Sequence, residues 1–201
     1  ESKVNVIPHG AYSIYKRWDR HDVNEEENSI LFFGRITRYK GIDVLIEAQP
    51  ILAIEVSNVK IIIAGHGDDF REYEKDMADK GCFEVHNRFI PHKEVHRFFR
   101  RASVVVLPYT EASQSGVAAI AFAFGKPIVA TDVGSLPEVV EEGVTGFVVP
   151  AGDPEALAKA LIRILKDRNL RSIMAENTLR KSNGALSWDN IAKMTALVYT
   201  K

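Results

Sequence analysis

Four polar segments of this 201-residue chain follow apolar runs and carry residue types that hold small anions. The first is Gly34-Arg35-Ile36-Thr37-Arg38-Tyr39-Lys40-Gly41. Gly34 permits a tight exit from the run ending at Phe33, and Arg35 and Lys40 stand just ahead of a helix-forming stretch. Two cations beside the exposed N–H groups of a helix start make a site for phosphate or diphosphate. On position alone, the plainer reading is a pair of solvated cations in an ordinary loop. The second segment, Gly65-His66-Gly67-Asp68, is small enough to bring backbone close to a ligand. It lacks the third glycine and the downstream acid of a dinucleotide fingerprint, so a tight turn explains it equally. His66 either faces a ligand or hydrogen-bonds within that turn.

The third segment, Tyr109-Thr110-Glu111-Ala112-Ser113-Gln114-Ser115-Gly116-Val117, runs into the uncharged stretch Ala118–Phe124. That stretch reads as a buried helix whose first amides, at Ser115, Gly116 and Val117, are offered to an anion with help from the helix dipole. Capping by Ser113 or Ser115 is a competing and compatible use of the same groups. The fourth segment, Thr131-Asp132-Val133-Gly134-Ser135-Leu136-Pro137-Glu138, leads into a short helix. Glu138 there is an acid in a first turn, favourable with the dipole and requiring no further role.

These segments need a scaffold that gathers strand ends. Apolar runs at Val4–Pro8, Ser29–Phe33, Val59–Ala64, Phe83–Phe89, Val104–Pro108, Ile128–Thr131 and Gly146–Val149 read as strands. Helical patterns fall between them at Ile42–Glu55, Asp69–Asp79, Lys93–Ala102, Val117–Phe124 and Pro154–Lys166. Ile42, Leu45, Ile46 and Leu52 share one helix face, and Asp153-Pro154-Glu155 is a strong helix start. Near-continuous apolar strands alternating with helices predict an α/β fold, a doubly wound parallel sheet with helices on both faces (Rossmann-like). Ligands of such sheets sit at the strands' carboxyl ends, where all four segments fall. Arg17–Asn28 reads as a polar surface loop, and 169–201 as a helical extension of two helices around Asn183–Gly184, ending in Trp188–Tyr199.

The composition narrows the classes. Twenty-six Lys and Arg against twenty-seven Asp and Glu leave a net charge of −1, with no electrostatic footprint for nucleic acid. The single cysteine, Cys82, offers no internal disulfide and no metal cluster, which sets a cytoplasmic expectation. No apolar run is long enough to span a bilayer. The first residue is Glu1 rather than Met, which fits a piece cut from a longer protein.

Taken in order, several motifs resemble the C-terminal domain of family-4 retaining glycosyltransferases, which include glycogen and sucrose synthases. They are Val6-Ile7-Pro8-His9-Gly10, Gly34-Arg35 to Lys40-Gly41, Ile63-Ala64-Gly65-His66-Gly67, and Gly125-Lys126-Pro127 with Val129-Ala130-Thr131. Gly134-Ser135-Leu136-Pro137-Glu138, Glu142 to Pro150 and Gly152-Asp153-Pro154 continue the series. The resemblance implies one half of a two-domain glycosyltransferase fold, with the N-terminal acceptor domain absent from this chain. Residues 1–201 would bind a nucleoside-diphosphate sugar for retaining hexosyl transfer, yet transfer nothing alone. Arg35 and Lys40 would neutralise the leaving diphosphate, which reverses the plainer reading of them. The backbone of Arg88-Phe89-Ile90 would edge the base, and Gly34, Gly65, His66 and the Ser115, Gly116 and Val117 amides would lie against sugar and phosphate. No cofactor and no metal is implied. His9 would lie at the interdomain junction. The acceptor stays open, including one presented at a membrane surface.

One departure stands out. The family carries two glutamates eight positions apart, and counting back from Gly125-Lys126-Pro127 places them at Ala112 and Ile120. Glu111 lies one residue from the first position and takes the catalytic carboxylate's place if the loop is shifted, but eight onward from it stands Ala119. The departure marks a divergent subfamily. Two alternatives remain: half of a sugar-nucleotide epimerase, or a degenerate, non-catalytic binding module. A receiver-like domain fits worse, because Arg35 replaces the acidic cluster expected at the first strand end.

Overall fold

A computed structural model describes residues 4–20 and 22–199; the predicted tail's last two positions and position 21 of the polar loop lie outside the described residues. Six strands form one all-parallel sheet: β1 (Ser29–Phe33), β2 (Lys60–Gly65), β3 (Phe83–Asn87), β4 (Val104–Leu107), β5 (Ile128–Thr131) and β6 (Gly146–Val149). Their order is β3-β2-β1-β4-β5-β6. The chain therefore reverses its direction of travel across the sheet between β1 and β4, and the crevice of an open α/β sheet lies there.

The helices are α1 (Ile42–Glu55), α2 (Arg71–Glu74), α3 (His92–Arg101), α4 (Gly116–Ala123), α5 (Leu136–Val139), α6 (Pro154–Lys166), α7 (Arg168–Asn183) and α8 (Trp188–Tyr199). Strand alternation sends Ile30, Phe32, Ile61, Ile63, Val104 and Val106 to one core with α1 and α6. Leu31, Ile62, Val105, Leu107 and Ala130 face the other core, with Phe98 and Phe99 of α3 and Ile120 and Phe122 of α4. Both faces are covered, as the apolar runs required. In α6 the Asp153 carboxylate caps Ala156 N–H at 2.9 Å, and Leu157, Leu161, Ile164 and Leu165 are buried. The α7–α8 pair matches the two helices expected around Asn183–Gly184.

Three sequence expectations fail. Val4–Pro8 forms no strand in the sheet, and Val4 and Val6 are 75% and 82% exposed. Apolar residues make a strand only when a sheet edge receives their backbone, and Pro8 contributes no donor. The helix expected over Asp69–Asp79 shrinks to Arg71–Glu74. Its aspartates compete for the backbone: Asp69 accepts from Arg71 N–H at 3.1 Å, and Asp79 accepts from Gly81 N–H at 2.8 Å. Strand β3 also ends at Asn87, two residues earlier than read, so Arg88 to Ile90 leave the sheet.

The polar loop is tied down rather than loose. A 3-10 helix at Ser13–Trp18 leads into it, and Glu25 meets Lys126 at 2.7 Å. Glu26 meets Lys60 at 2.8 Å and also pairs with Arg101, whose guanidinium donates to Glu84 at 2.7 Å. This network joins the loop entering β1 to β2, β3 and α3. The hydrogen bonds from Arg101 outweigh burial and hold the Glu84 carboxyl down at about 2, below its ordinary 4.5. Stability from this carboxylate is therefore complete above its unfolded value and is lost as pH falls toward the folded one. The urea midpoint should fall more steeply between about pH 5 and about pH 3 in the native chain than in Glu84→Gln, as followed by circular dichroism; parallel slopes would remove Glu84 from the acid transition.

Candidate functional site

The loops after β1, β2, β4 and β5 interlock along the sheet's carboxyl edge. Ile36 N–H donates to His66 carbonyl at 3.1 Å, and Asp68 N–H donates back to Ile36 carbonyl at 2.8 Å. Thr110 N–H donates to Tyr39 carbonyl at 2.9 Å, and Ser135 hydroxyl donates to Ser113 carbonyl at 2.6 Å. Glycine makes close approach possible at two points. Gly65 has φ +157°, and a Cβ there would lie 1.7 Å from Gly34 carbonyl oxygen. Gly41 has φ +67°, and its Cβ would lie 1.8 Å from Pro108 carbonyl oxygen.

This interlocking sets the loops after β1, β2 and β4 side by side at the switch point, with the segment after β3 beyond the second loop. Gly34 leaves β1 with φ +124°, and a Cβ there would stand 3.5 Å from the Val117 side chain at the start of α4. Arg35 is exposed and has no ion-pair or hydrogen-bond partner among the described residues. Lys40 is half-buried, and its Nζ sits 3.5 Å from the centre of the Tyr109 ring and 5.2 Å from that of Tyr39. No carboxylate among the described residues pairs with it; burial pushes its ammonium down to about 8. Two cations at a crevice with no internal counter-ion make an electropositive place.

The start of α4 faces the same rim. Ser115 Oγ accepts from Ala118 N–H at a long 3.4 Å, so the cap expected of Ser115 forms weakly, while Ser113 supplies only its carbonyl, to Ser135. The Ser115, Gly116 and Val117 N–H groups meet no acceptor among the described residues. Arg88 N–H donates to Gly65 carbonyl at 2.8 Å, which brings the Arg88-Phe89-Ile90 segment against the second loop. The Arg88 guanidinium is engaged with Glu94 at 2.6 Å; Phe89 is 69% exposed and Ile90 buried. His66 contributes its carbonyl to the loop contact, and its ring is exposed. Glu111 is exposed, beside Thr110. Ile120 is buried in the α3–α4 core and Ala119 is buried with it, so neither position brings a carboxylate to the rim.

Tyr109 and Gly41 fall within the candidate segments, but no local motif shows that Tyr109 lies against Lys40 or that Gly41 lies against Pro108, because these are tertiary contacts between loops distant in sequence. A further cavity of about 380 Å³ opens beside the α4 start. It is lined by His9, Tyr12, Ser115, Gly116, Glu138 and Lys181 among others, and lies off the Arg35 and Lys40 rim. Among the described residues, no group of three or more His, Cys, Asp or Glu is placed to hold a metal ion, and no helix is long and apolar enough to cross a membrane.

Known proteins carry the same architecture. The chain superposes on sucrose-phosphate synthase from Thermosynechococcus elongatus with a TM-score of 0.79 at 24% identity, covering 98% of this chain and 52% of that one. It superposes on Anabaena HepE, solved in complex with UDP, with a TM-score of 0.75 at 22% identity, covering 87% and 49%; the same protein was also solved with UDP-glucose. Fold and sheet order thus define a Rossmann-like α/β domain. The model of the family described as glycosyl transferases group 1 matches residues 16–181, and an uncharacterized glycosyltransferase of Methanocaldococcus jannaschii is 34% identical over 99% of this chain and 54% of its own length. The chain belongs to the glycosyl transferases group 1 family, as a C-terminal domain. It spans about half the length of that relative.

Gly65→Ala should lower the melting temperature by at least about 4 °C, since backbone strain and the collision with Gly34 together cost at least about 2 kcal/mol. Gly143, with φ +72° and nothing within 4 Å, is the control. Gly143→Ala should cost only about 1 kcal/mol; equal losses would mean that strain alone acts at Gly65.

Proposed function

We propose that residues 1–201, with the helices of 169–201 as an extension, bind the nucleoside-diphosphate sugar donor of a retaining hexosyltransferase. The observation that carries this reading is the pair of cations without a carboxylate, Arg35 and Lys40, beside the open amides of α4 at the switch point. A diphosphate matches this set: two anionic groups, two cations and a helix start. In the transition state the sugar's anomeric bond breaks and negative charge develops on the departing diphosphate. Arg35 and Lys40 would stabilise that charge without a metal, because both stand at the rim beforehand and Lys40 is partly dehydrated.

Gly34 and Gly65 keep the backbone low where the phosphates and sugar would lie, and the Arg88-Phe89-Ile90 backbone is offered to the base. Glu111, exposed on the neighbouring loop, is the carboxylate we assign to the donor sugar or ribose. HepE's complexes with UDP and UDP-glucose support a nucleotide ligand for this fold. The acceptor would bind an N-terminal domain of a full-length protein, and the C-terminal half alone would hold donor without transferring it. The single cysteine supports a reducing, cytoplasmic setting.

The test is a thermal-shift titration of the chain with UDP, GDP and ADP. At least one should raise the melting temperature in a concentration-dependent way. Arg35→Ala and Lys40→Ala should each weaken that nucleotide roughly tenfold to a hundredfold, as expected for charge-assisted phosphate contacts. Absence of a shift with all three at millimolar concentration would sink the reading, and indifference of both variants would turn it toward a binding module of another kind.

A further inference from the structure

Lysine is a flexible choice for a preplaced cation, and an unpaired ammonium ordinarily swings into water. Lys40 does not, and the reason lies in Tyr109. Its ring centre is 3.5 Å from Lys40 Nζ, well inside the range over which an aromatic face attracts a cation. The residue is 1% exposed, and the backbone around it is held at three points. Pro108 carbonyl is in close contact with Gly41, Thr110 N–H is bonded to Tyr39 carbonyl at 2.9 Å, and Thr131 hydroxyl donates to Tyr109 carbonyl at 2.6 Å. At the far end of the side chain the Tyr109 hydroxyl lies 3.4 Å from Ser115 Oγ, the group that caps α4. One side chain therefore touches both parts of the anion site.

We propose that Tyr109 is a positioning residue: its ring face holds the Lys40 ammonium, and its hydroxyl meets Ser115, so that cation and helix start are set at one spacing before diphosphate arrives. This rests on the donor-binding reading above and adds how that site is preorganised. The groups packed against Lys40 are the rings of Tyr109 and Tyr39, with no carboxylate of the described residues in ion-pair reach. Burial lifts the Tyr109 phenol to about 12, so the shelf stays neutral while Lys40 titrates. Lys40 thus loses its charge as pH rises through about 8, and bound diphosphate would draw its proton back.

The experiment is calorimetric titration with inorganic pyrophosphate and with whichever of UDP, GDP or ADP stabilises the native chain most. Tyr109 is replaced by phenylalanine and by progressively fluorinated phenylalanines, which weaken the π face at nearly constant volume and leave the core filled. Tyr109→Phe, which loses only the long hydroxyl contact with Ser115, should bind about threefold more weakly than the native chain, and the variant with the most fluorinated ring about tenfold more weakly than Tyr109→Phe. In a Lys40→Ala background the fluorine series should be flat, which a merely structural role for Tyr109 would not produce. In the native chain affinity should fall as pH rises through about 8, and Lys40→Arg should remove that fall.

The outcomes separate cleanly. Binding that weakens in Lys40→Ala but ignores fluorination overturns the role of Tyr109 and leaves the donor site standing. A fluorine effect that persists without Lys40 also overturns it. No binding of any diphosphate to the native chain overturns both.

Discussion

The carboxyl edge of this domain depends on the reversal between β1 and β4. Right-handed crossovers carry the chain outward through β2 and β3, and then back to the far side of β1 for β4, β5 and β6. Helices α1 and α4 therefore leave the edge on opposite faces of the sheet, and a gap opens between their starts. Arg35, Lys40 and the α4 amides share that gap because topology puts them there, not because they are near in sequence. The absence of counter-ions for the two cations among the described residues is the electrostatic side of the same constraint. A site that supplied its own carboxylates would have neutralised the charge that a ligand must meet.

The gap is kept narrow by backbone contacts that admit no side chain. Gly65 sits on Gly34 and Gly41 sits on Pro108, each at a positive φ. Around these points the loops exchange hydrogen bonds, so the rim behaves as one interlocked surface. The ion network of Glu26, Lys60, Glu84 and Arg101 anchors the opposite, amino-terminal side and leads the chain into β1. Lys40 then stands out as the group whose placement costs solvation, a half-buried ammonium with an aromatic ring as its partner.

The loss of a carboxylate at Ile120 is structurally coherent. The position is 5% exposed and belongs to the core on the α3 and α4 face of the sheet, where an apolar residue fits and a carboxylate would be desolvated. Under the proposed donor reading, contacts to sugar and ribose would come from the rim loops, where Glu111 and the Arg88 to Ile90 backbone remain. Membership of the family and the presence of one particular ribose contact are separable properties, because the first rests on the fold's packing and the second on one side chain.

Much of this was legible from residue order alone. Period and run length identified the sheet strands and the long helices, for the inner strands because burial on both faces demands continuous apolar runs, and Asp153-Pro154 marked the start of α6 by local capping chemistry. The motifs placed Arg35, Lys40 and the α4 start on strand-end loops. Local pattern misled where a partner was required: Val4–Pro8 has strand composition but no sheet edge to join, and the aspartates of 69–79 preferred turns to a helix. What only the tertiary structure decided was the pairing of loops distant in sequence. The seating of Lys40 on Tyr109, the contact of Gly41 with Pro108 and the burial of Ile120 depend on strand order and helix packing, and neither propensity nor spacing encodes which loop will lie against which.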